Sequence, residues 1–369
     1  MTTIYLIRHA ESEGNLFRIC QGHDDELLSA TGLAQCRALG ARFKSIPLAA
    51  VYTSDLYRTA ATAMAIAKPQ RLKLTGDTAL REIHLGSLEG RSWGNVYREV
   101  PVLRSAPVYT LDSFGGERIP DVASRMVSSL TGIARRHDGE SVAVVSHGGA
   151  ISIFLGAVLP QTKLDLAGNT SVTTLSYTDG RWKIVSPPDL SHLTRAGIPS
   201  AELFRKDQTD LWFDDIRPDR DAEIIDRIGR DAWYAVFGNL SEYLPAIFRD
   251  NTRRITGRTG LATLCMDGDT LAGMLLLDAD QHDEKDIGHI SLIYLEPEYR
   301  YRGLGMQLVG HATVVYRAMG RETLRLHVAQ RNKAAIRLYQ KCGFRFASVP
   351  YSLSGQLVMK KNITVPKLV

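Results

Sequence analysis

Two stretches of this chain share a plan that few folds permit. Residues 3–7 form an apolar, β-branched run (Ile4, Tyr5, Leu6, Ile7) that stops at Arg8-His9, after which polar and small residues take over as far as Asn15. Residues 141–145 run in the same way into Ser146-His147-Gly148-Gly149, followed by an apolar segment over 150–159. An apolar run without polar alternation suits a strand buried on both faces, as in parallel sheets covered by helices. The polar residues then fall at the strand's carboxyl end, where open α/β sheets hold their ligands. The repetition predicts an α/β unit with a histidine at the end of each of two buried strands. His147 would stand at a helix N-terminus, a position that favours an anion.

The residues between these stretches extend the pattern. Residues 31–43 read as a helix, 51–53 as a short strand, and the following segment to residue 67 as a helix capped by Ser54 or Asp55. Arg58 falls in that helix's first turn, where it can join backbone N–H groups in facing an anion. Glu82 lies in a loop and would serve as a proton donor if partial burial raised its pKa. Residues 121–136 read as an amphipathic helix through Val122, Met126, Leu130 and Ile133. Strands at 169–175 and 182–185 flank the turn Thr178-Asp179-Gly180-Arg181. A neutral imidazole beside a guanidinium suits attack on phosphorus. In such a pair Arg8 can fork onto phosphate oxygens while His9 would supply the nucleophile.

Length and charge bound the rest. At 369 residues the chain has room for two domains of ordinary size. Its 45 Lys and Arg barely exceed its 40 Asp and Glu, so a nucleic-acid or membrane partner has no support from charge. The cysteines, Cys20, Cys36, Cys265 and Cys342, show neither C-x-x-C nor metal-ligand spacing and read as reduced thiols. The opening residues lack a charged segment followed by an apolar one, and no apolar run approaches a membrane span. The expectation is a cytoplasmic protein, with homo-oligomerisation left open.

Residues 194–212 show no clear period beyond a short helix around 201–206 and read as a connector. After it come a strand near 213–215, a helix from about 219–221 to 228, and a hairpin of 261–266 with 271–277 about Asp267-Gly268-Asp269. The charged loop His282-Asp283-Glu284-Lys285-Asp286 reads as a solvated turn. A strand at 289–295 leads into Arg300-Tyr301-Arg302-Gly303-Leu304-Gly305 and a helix over 306–319. A glycine-rich loop entering a helix can cradle a pyrophosphate through its backbone N–H groups. A strand at 323–328 follows. Asn332 then opens a helix carrying Tyr339, which ends at Lys341-Cys342-Gly343-Phe344.

Arg8-His9-Ala10-Glu11, Asn15, Gln21-Gly22, residues 54–58, Glu82 and Ser146-His147-Gly148-Gly149 together resemble the histidine phosphatase superfamily, which has the phosphoglycerate-mutase-like fold. The resemblance implies a three-layer α/β/α domain over 1–195 that acts on small-molecule phosphomonoesters without a metal or other cofactor. It implies His9 as the nucleophile forming a phosphohistidine, with Arg8, Arg58 and His147 completing the phosphate pocket. Asn15, Gln21, Gly22 and Gly148 would be further substrate contacts, and Glu82 the proton donor to the leaving oxygen. The first half lacks room for the extra segments of the mutases, which favours hydrolysis, with mutase chemistry as the alternative.

Residues 213–361, beyond a connector at 196–212, resemble the GNAT N-acetyltransferases, an α+β fold with a mixed sheet. The resemblance implies bound acetyl-CoA. Arg300, Arg302, Gly303, Leu304 and Gly305 would meet the pyrophosphate, residues 292–295 (Leu295 among them) the pantetheine, and Asn332 would be a further contact. Tyr339 would protonate the departing thiolate, and a small molecule or peptide would supply the amine. No motif fixes the general base, for which His289 and Glu296 are candidates. The expectation is a bifunctional enzyme. The alternative is a phosphatase whose second half is an acyl-CoA-binding regulatory module.

Overall fold

The computed structural model describes residues 1–104, 111–161, 168–198, 209–280, 284–351 and 355–368. Its first half is built on a six-stranded sheet of β1 (Thr2–Arg8), β2 (Ala50–Thr53), β3 (Leu74–Gly76), β4 (Ser141–Ser146), β5 (Val172–Thr178) and β6 (Arg181–Asp189), in the order β3-β2-β4-β1-β5-β6. Side chains alternate across β1. Ile4 and Leu6 join Val122, Met126, Leu130 and Phe154 under the helices Ile119–Arg136 and Gly148–Val158. Ile7 joins Leu39, Phe43 and Ile66 under the helices Ala30–Phe43 and Tyr57–Ala67 on the other face. Burial on both sides, at about 1.5–3 kcal/mol for each large apolar side chain, is why the run carries no polar alternation. The result is the expected α/β/α layering.

Register places the site. β1 and β4 run parallel with Arg8 opposite Ser146, so His9 and His147 leave the sheet side by side. β2 runs parallel to β4 with Thr53 opposite Val145, which delivers the Tyr57–Ala67 helix to the same end. The cap expected for that helix is different. No side chain caps it at Leu56, and Tyr57 N instead donates to Asp25 Oδ2 at 2.6 Å. Asp55 is held by Arg81. A residue far along the chain supplies the acceptor, which local sequence cannot reveal.

The second half is a seven-stranded sheet of β7 (Trp212–Asp215), β8 (Ala262–Asp267), β9 (Thr270–Asp278), β10 (Ile287–Leu295), β11 (Thr323–Val328), β12 (Arg345–Tyr351) and β13 (Leu357–Asn362), ordered β12-β13-β11-β10-β9-β8-β7. Its helices are Ala222–Phe237, Pro245–Ile255, Gly305–Ala318 and Lys333–Lys341. The first runs past the expected stop at residue 228 and ends at Gly238, whose φ of 78° only glycine adopts without strain. The helix Pro245–Ile255 was not anticipated. The short helix expected at 201–206 lies outside the described residues, as do His282 and Asp283.

The two halves pack together. Phe17 and Ile19 are buried in the core of the second sheet. Asn95 pairs with the main chain of Phe213, donating to its carbonyl and accepting from its N–H, both at 3.0 Å.

Candidate active sites

The first site lies beyond the carboxyl ends of β1 and β4. His9 Nδ1–H donates to the carbonyl of Ala10 at 2.7 Å, so Nε2 keeps its lone pair. Burial, followed by the charges of Arg58 and Arg8, drives the His9 pKa well below its ordinary range. The ring is therefore neutral and nucleophilic at neutral pH. His147 stands 5.2 Å from it, ring centre to ring centre. Its pKa is likewise depressed, first by burial and then by Arg58. Neither nitrogen of His147 has a hydrogen-bond partner among the described residues. A buried imidazole so placed is suited to an incoming oxygen.

Arg8 and Arg58 are 2% and 1% exposed, two cations in one buried place. Burial lowers the Arg8 pKa to about 10, opposed by the charge of Glu82. Arg58 is aimed by the loop carbonyls of Asp24 and Gly22, to which it donates at 2.8 and 2.6 Å. Gly22 therefore serves as an anchor for Arg58, at a φ of 51°. A Cβ on Gly148 would sit 3.2 Å from Arg8 Nε, so the small residue lets that guanidinium lie against the helix.

Glu82 differs from expectation. Its carboxylate accepts the backbone N–H groups of Gly149 and Ala150, at 3.1 and 2.8 Å, and thus occupies the helix N-terminus that the sequence assigned to phosphate. A Cβ at 149 would lie 2.7 Å from Glu82 Oε1, so glycine there lets the carboxylate come close to the helix. The supporting residues are ones sequence reasoning missed. Arg125 donates to the carbonyls of Ala79, Arg81 and Glu82 and pairs with Glu117. His23 meets the Glu82 carbonyl at 2.8 Å.

Asn15 and Gln21 enter through Ser12, whose hydroxyl reaches Asn15 Oδ1 at 3.0 Å and Gln21 Oε1 at 2.6 Å. Asn169 Nδ2 donates to the His9 carbonyl at 3.0 Å and to Asn15 Oδ1 at 3.3 Å. Its only local signal was the Gly168-Asn169-Thr170 turn, which was read as strand. Thr170, at φ 61°, turns its N–H onto the Arg8 carbonyl at 3.0 Å.

The second site is a cleft between strands. β10 and β11 pair in parallel only from Ile287–Thr323 to Ile290–Leu326, and β10 bulges between Ile290 and Leu292. Beyond that point the strands part around a cavity of about 600 Å³. Leu295, Arg300, Tyr301, Gly303, Leu304 and Gly305 line it, with Asn332, Tyr339, His289 and His327. Gly303 has a φ of 81° and Gly305 begins a helix, so a tight turn and a helix N-terminus border the cavity. Unpaired strand edge, glycine loop and helix N-terminus form a donor set that fits a pantetheine pyrophosphate.

Three residues, Arg302, Asn332 and Glu296, have partners other than those expected. Arg302 leaves the cavity and donates to Thr209 Oγ1 at 3.1 Å, its guanidinium lying over the Tyr299 ring. Asn332 caps its helix by accepting from Ala335 N at 3.1 Å. Glu296 is held by Arg227 and by the Tyr294 hydroxyl, outside the cavity lining. His289 faces the cavity with His327, their ring centres 5.0 Å apart. Tyr339 is buried, which raises its pKa and keeps its proton in place.

Among the described residues no His, Cys, Asp and Glu cluster could hold a metal, and no helix is long and apolar enough to cross a membrane. The family model of the histidine phosphatase superfamily (branch 1) matches residues 4–189, and that of the acetyltransferase (GNAT) family matches residues 224–344. The metal-independent phosphoserine phosphatase of Arabidopsis thaliana is 34% identical over 207 residues, spanning 54% of this chain and 86% of that protein. The probable phosphoglycerate mutase GpmB of Proteus mirabilis is 31% identical over 218 residues, 55% of this chain and 100% of its own. The solved structure of Bacillus stearothermophilus YhfR has 31% identity and a TM-score of 0.48, covering 52% of this chain and 100% of that one.

Proposed function

The chain belongs to the histidine phosphatase superfamily and carries a GNAT acetyltransferase domain, and we propose that it hydrolyses phosphomonoesters through a phosphohistidine while transferring acetyl groups to an amine. The observation that carries the first activity is the neutral His9, its Nε2 freed by the Ala10 carbonyl, among Arg8, Arg58 and His147. Phosphoryl transfer depends on positioning and charge neutralisation. The two guanidinium groups neutralise the phosphoryl oxygens, with no metal required of the chain, and His9 attacks phosphorus in line with the leaving oxygen.

Glu82 then exchanges the proton at that oxygen and activates the water that cleaves the phosphoenzyme. Two backbone N–H groups fix its carboxylate in place. A substrate bound as its monoanion supplies the proton that Glu82 relays. The test is phosphate release from p-nitrophenyl phosphate in excess chelator. His9→Ala is expected to abolish it, by about 10⁴-fold or more. Retained turnover in that variant sinks the mechanism. Conversion of 3-phosphoglycerate to its 2-isomer, without release, would move the reading to a mutase.

In the second half, acetyl-CoA would lie along Leu295 and the loop from Arg300 to Gly305 and supply an activated thioester. Tyr339, protonated by its burial, is the acid for the departing thiolate. The ion pair with Arg227 disfavours Glu296 as base, which leaves His289, beside His327, at the cavity wall. Titration with acetyl-CoA beside an amine screen separates this from the regulatory alternative. Binding without turnover on any amine would favour a sensor.

A further inference from the structure

The turn that follows His9 has two sides. On one, Ser12 and Asn15 join Gln21, Asn169 and the His9 carbonyl in a single hydrogen-bonded set. On the other, the helix Glu13–Phe17 is buried in the second half of the chain. Phe17 is 1% exposed, and Gly310 packs on it so closely that a Cβ there would lie 2.4 Å from the Phe17 Cβ. Glu13 forms an ion pair with Lys361, a residue 4% exposed that also lies 5.7 Å from the Phe17 ring centre. Glu26, on the loop that aims Arg58, pairs with Arg317 at 2.9 Å.

Two of these partners share one element. Gly310 and Arg317 belong to the helix Gly305–Ala318, whose first residue lines the acyl-CoA cleft. Its 14 residues span about 21 Å, from that cleft to the seam with the first half. Arg317 also donates to the carbonyl of Ile363, beside the strand that carries Lys361. Buried charges have little freedom to shift without losing their partners. A displacement of this helix must therefore be shared with Glu13, Glu26 and the turn that holds His9.

We propose that Lys361, Arg317 and Gly310 are positioning residues for the phosphate pocket, so that a ligand in the acyl-CoA cleft and phosphate at His9 alter each other's affinity. The inference rests on the acyl-CoA and phosphate assignments above. Coupling of two sites is reciprocal, so each ligand must change the other's dissociation constant by the same factor.

The test is calorimetry on the full chain, with orthovanadate as the probe of the pocket and CoA as the probe of the cleft. The expected result is a change of about fivefold in the vanadate Kd at saturating CoA, matched by an equal change in the CoA Kd at saturating vanadate. Lys361→Met is expected to weaken vanadate and abolish the linkage while CoA binds within twofold of the parent. Lys361→Arg is expected to restore both. Two ligands that bind without affecting each other in the unmodified chain overturn the inference and leave both site assignments standing. Failure of CoA to bind overturns the cleft assignment and the inference with it. Failure of vanadate alone to bind overturns the pocket assignment and likewise the inference.

Discussion

The two sites of this chain are made in opposite ways. The His9 pocket is side-chain chemistry sealed from water: two buried guanidinium groups and two buried imidazoles, with His9 and Arg58 aimed by carbonyls and Arg8 lying against Gly148. The cleft proposed for acyl-CoA is an interruption of backbone pairing, where β10 and β11 separate and a glycine loop follows. A phosphoryl group in reaction needs charge placed within hydrogen-bonding distance, and burial strengthens such charges. A long cofactor needs a strand-like edge and amide donors, which any sequence with the right turns can supply. Substitutions should therefore act sharply in the first site and mildly in the second.

The largest difference should come from Glu82→Gln. In that variant kcat/KM for an alkyl phosphate should fall by about 10²–10⁴-fold, since the leaving alkoxide needs a proton. The kcat/KM for p-nitrophenyl phosphate, whose leaving group needs none, should fall by less than about tenfold, since this ratio reports formation of the phosphoenzyme and not its hydrolysis. Equal losses on both substrates would remove Glu82 from leaving-group chemistry. Tyr339→Phe comes next. Transfer to an accepted amine should drop by about 10²-fold while calorimetry returns an unchanged acetyl-CoA Kd. A matching loss of affinity would make Tyr339 a packing residue.

The next effect is on stability. His9, His147 and His192 all have folded-state pKa values depressed mainly by burial, His192 to about 4. Between the unfolded value near 6.5 and those lower values the unfolded chain binds more protons, so stability falls as pH falls. Each imidazole contributes a slope of up to about 1.4 kcal/mol per pH unit. Melting temperature should drop steadily from pH 6.5 to 5, and less steeply in His147→Asn. Glu13 and Glu26, raised by burial, act with the opposite sign once they begin to protonate. The smallest effect is expected of Asn332→Ala. Loss of a helix cap costs about 1 kcal/mol in thermal or urea unfolding, with acetyl-CoA affinity within twofold. A tenfold loss of affinity would make Asn332 a ligand contact as well as a cap.

Much of this was legible in the chain itself. Residues 3–7 and 141–145 announced buried strands because burial on both faces leaves no room for alternation. The glycine-rich loop after residue 299 and the Thr178-Asp179-Gly180-Arg181 turn were legible because positive φ values at Asp179, Gly180 and Gly303 select their residues. The proposed pocket residues His9, Arg8, Arg58, Glu82 and His147 were named by resemblance to a family's motifs, and their types suit the chemistry of phosphate. What the sequence could not determine is which donors and acceptors meet. That Asp25 caps the Tyr57–Ala67 helix, that Glu82 takes the amides of Gly149 and Ala150, and that Arg302 turns from the cavity to Thr209 are contacts between distant residues. The seam is the extreme case, since Glu13 and Lys361 are 348 positions apart. Local propensity and periodicity fix strands and helices over a few residues. Buried charges find their partners only when the whole chain has closed around them.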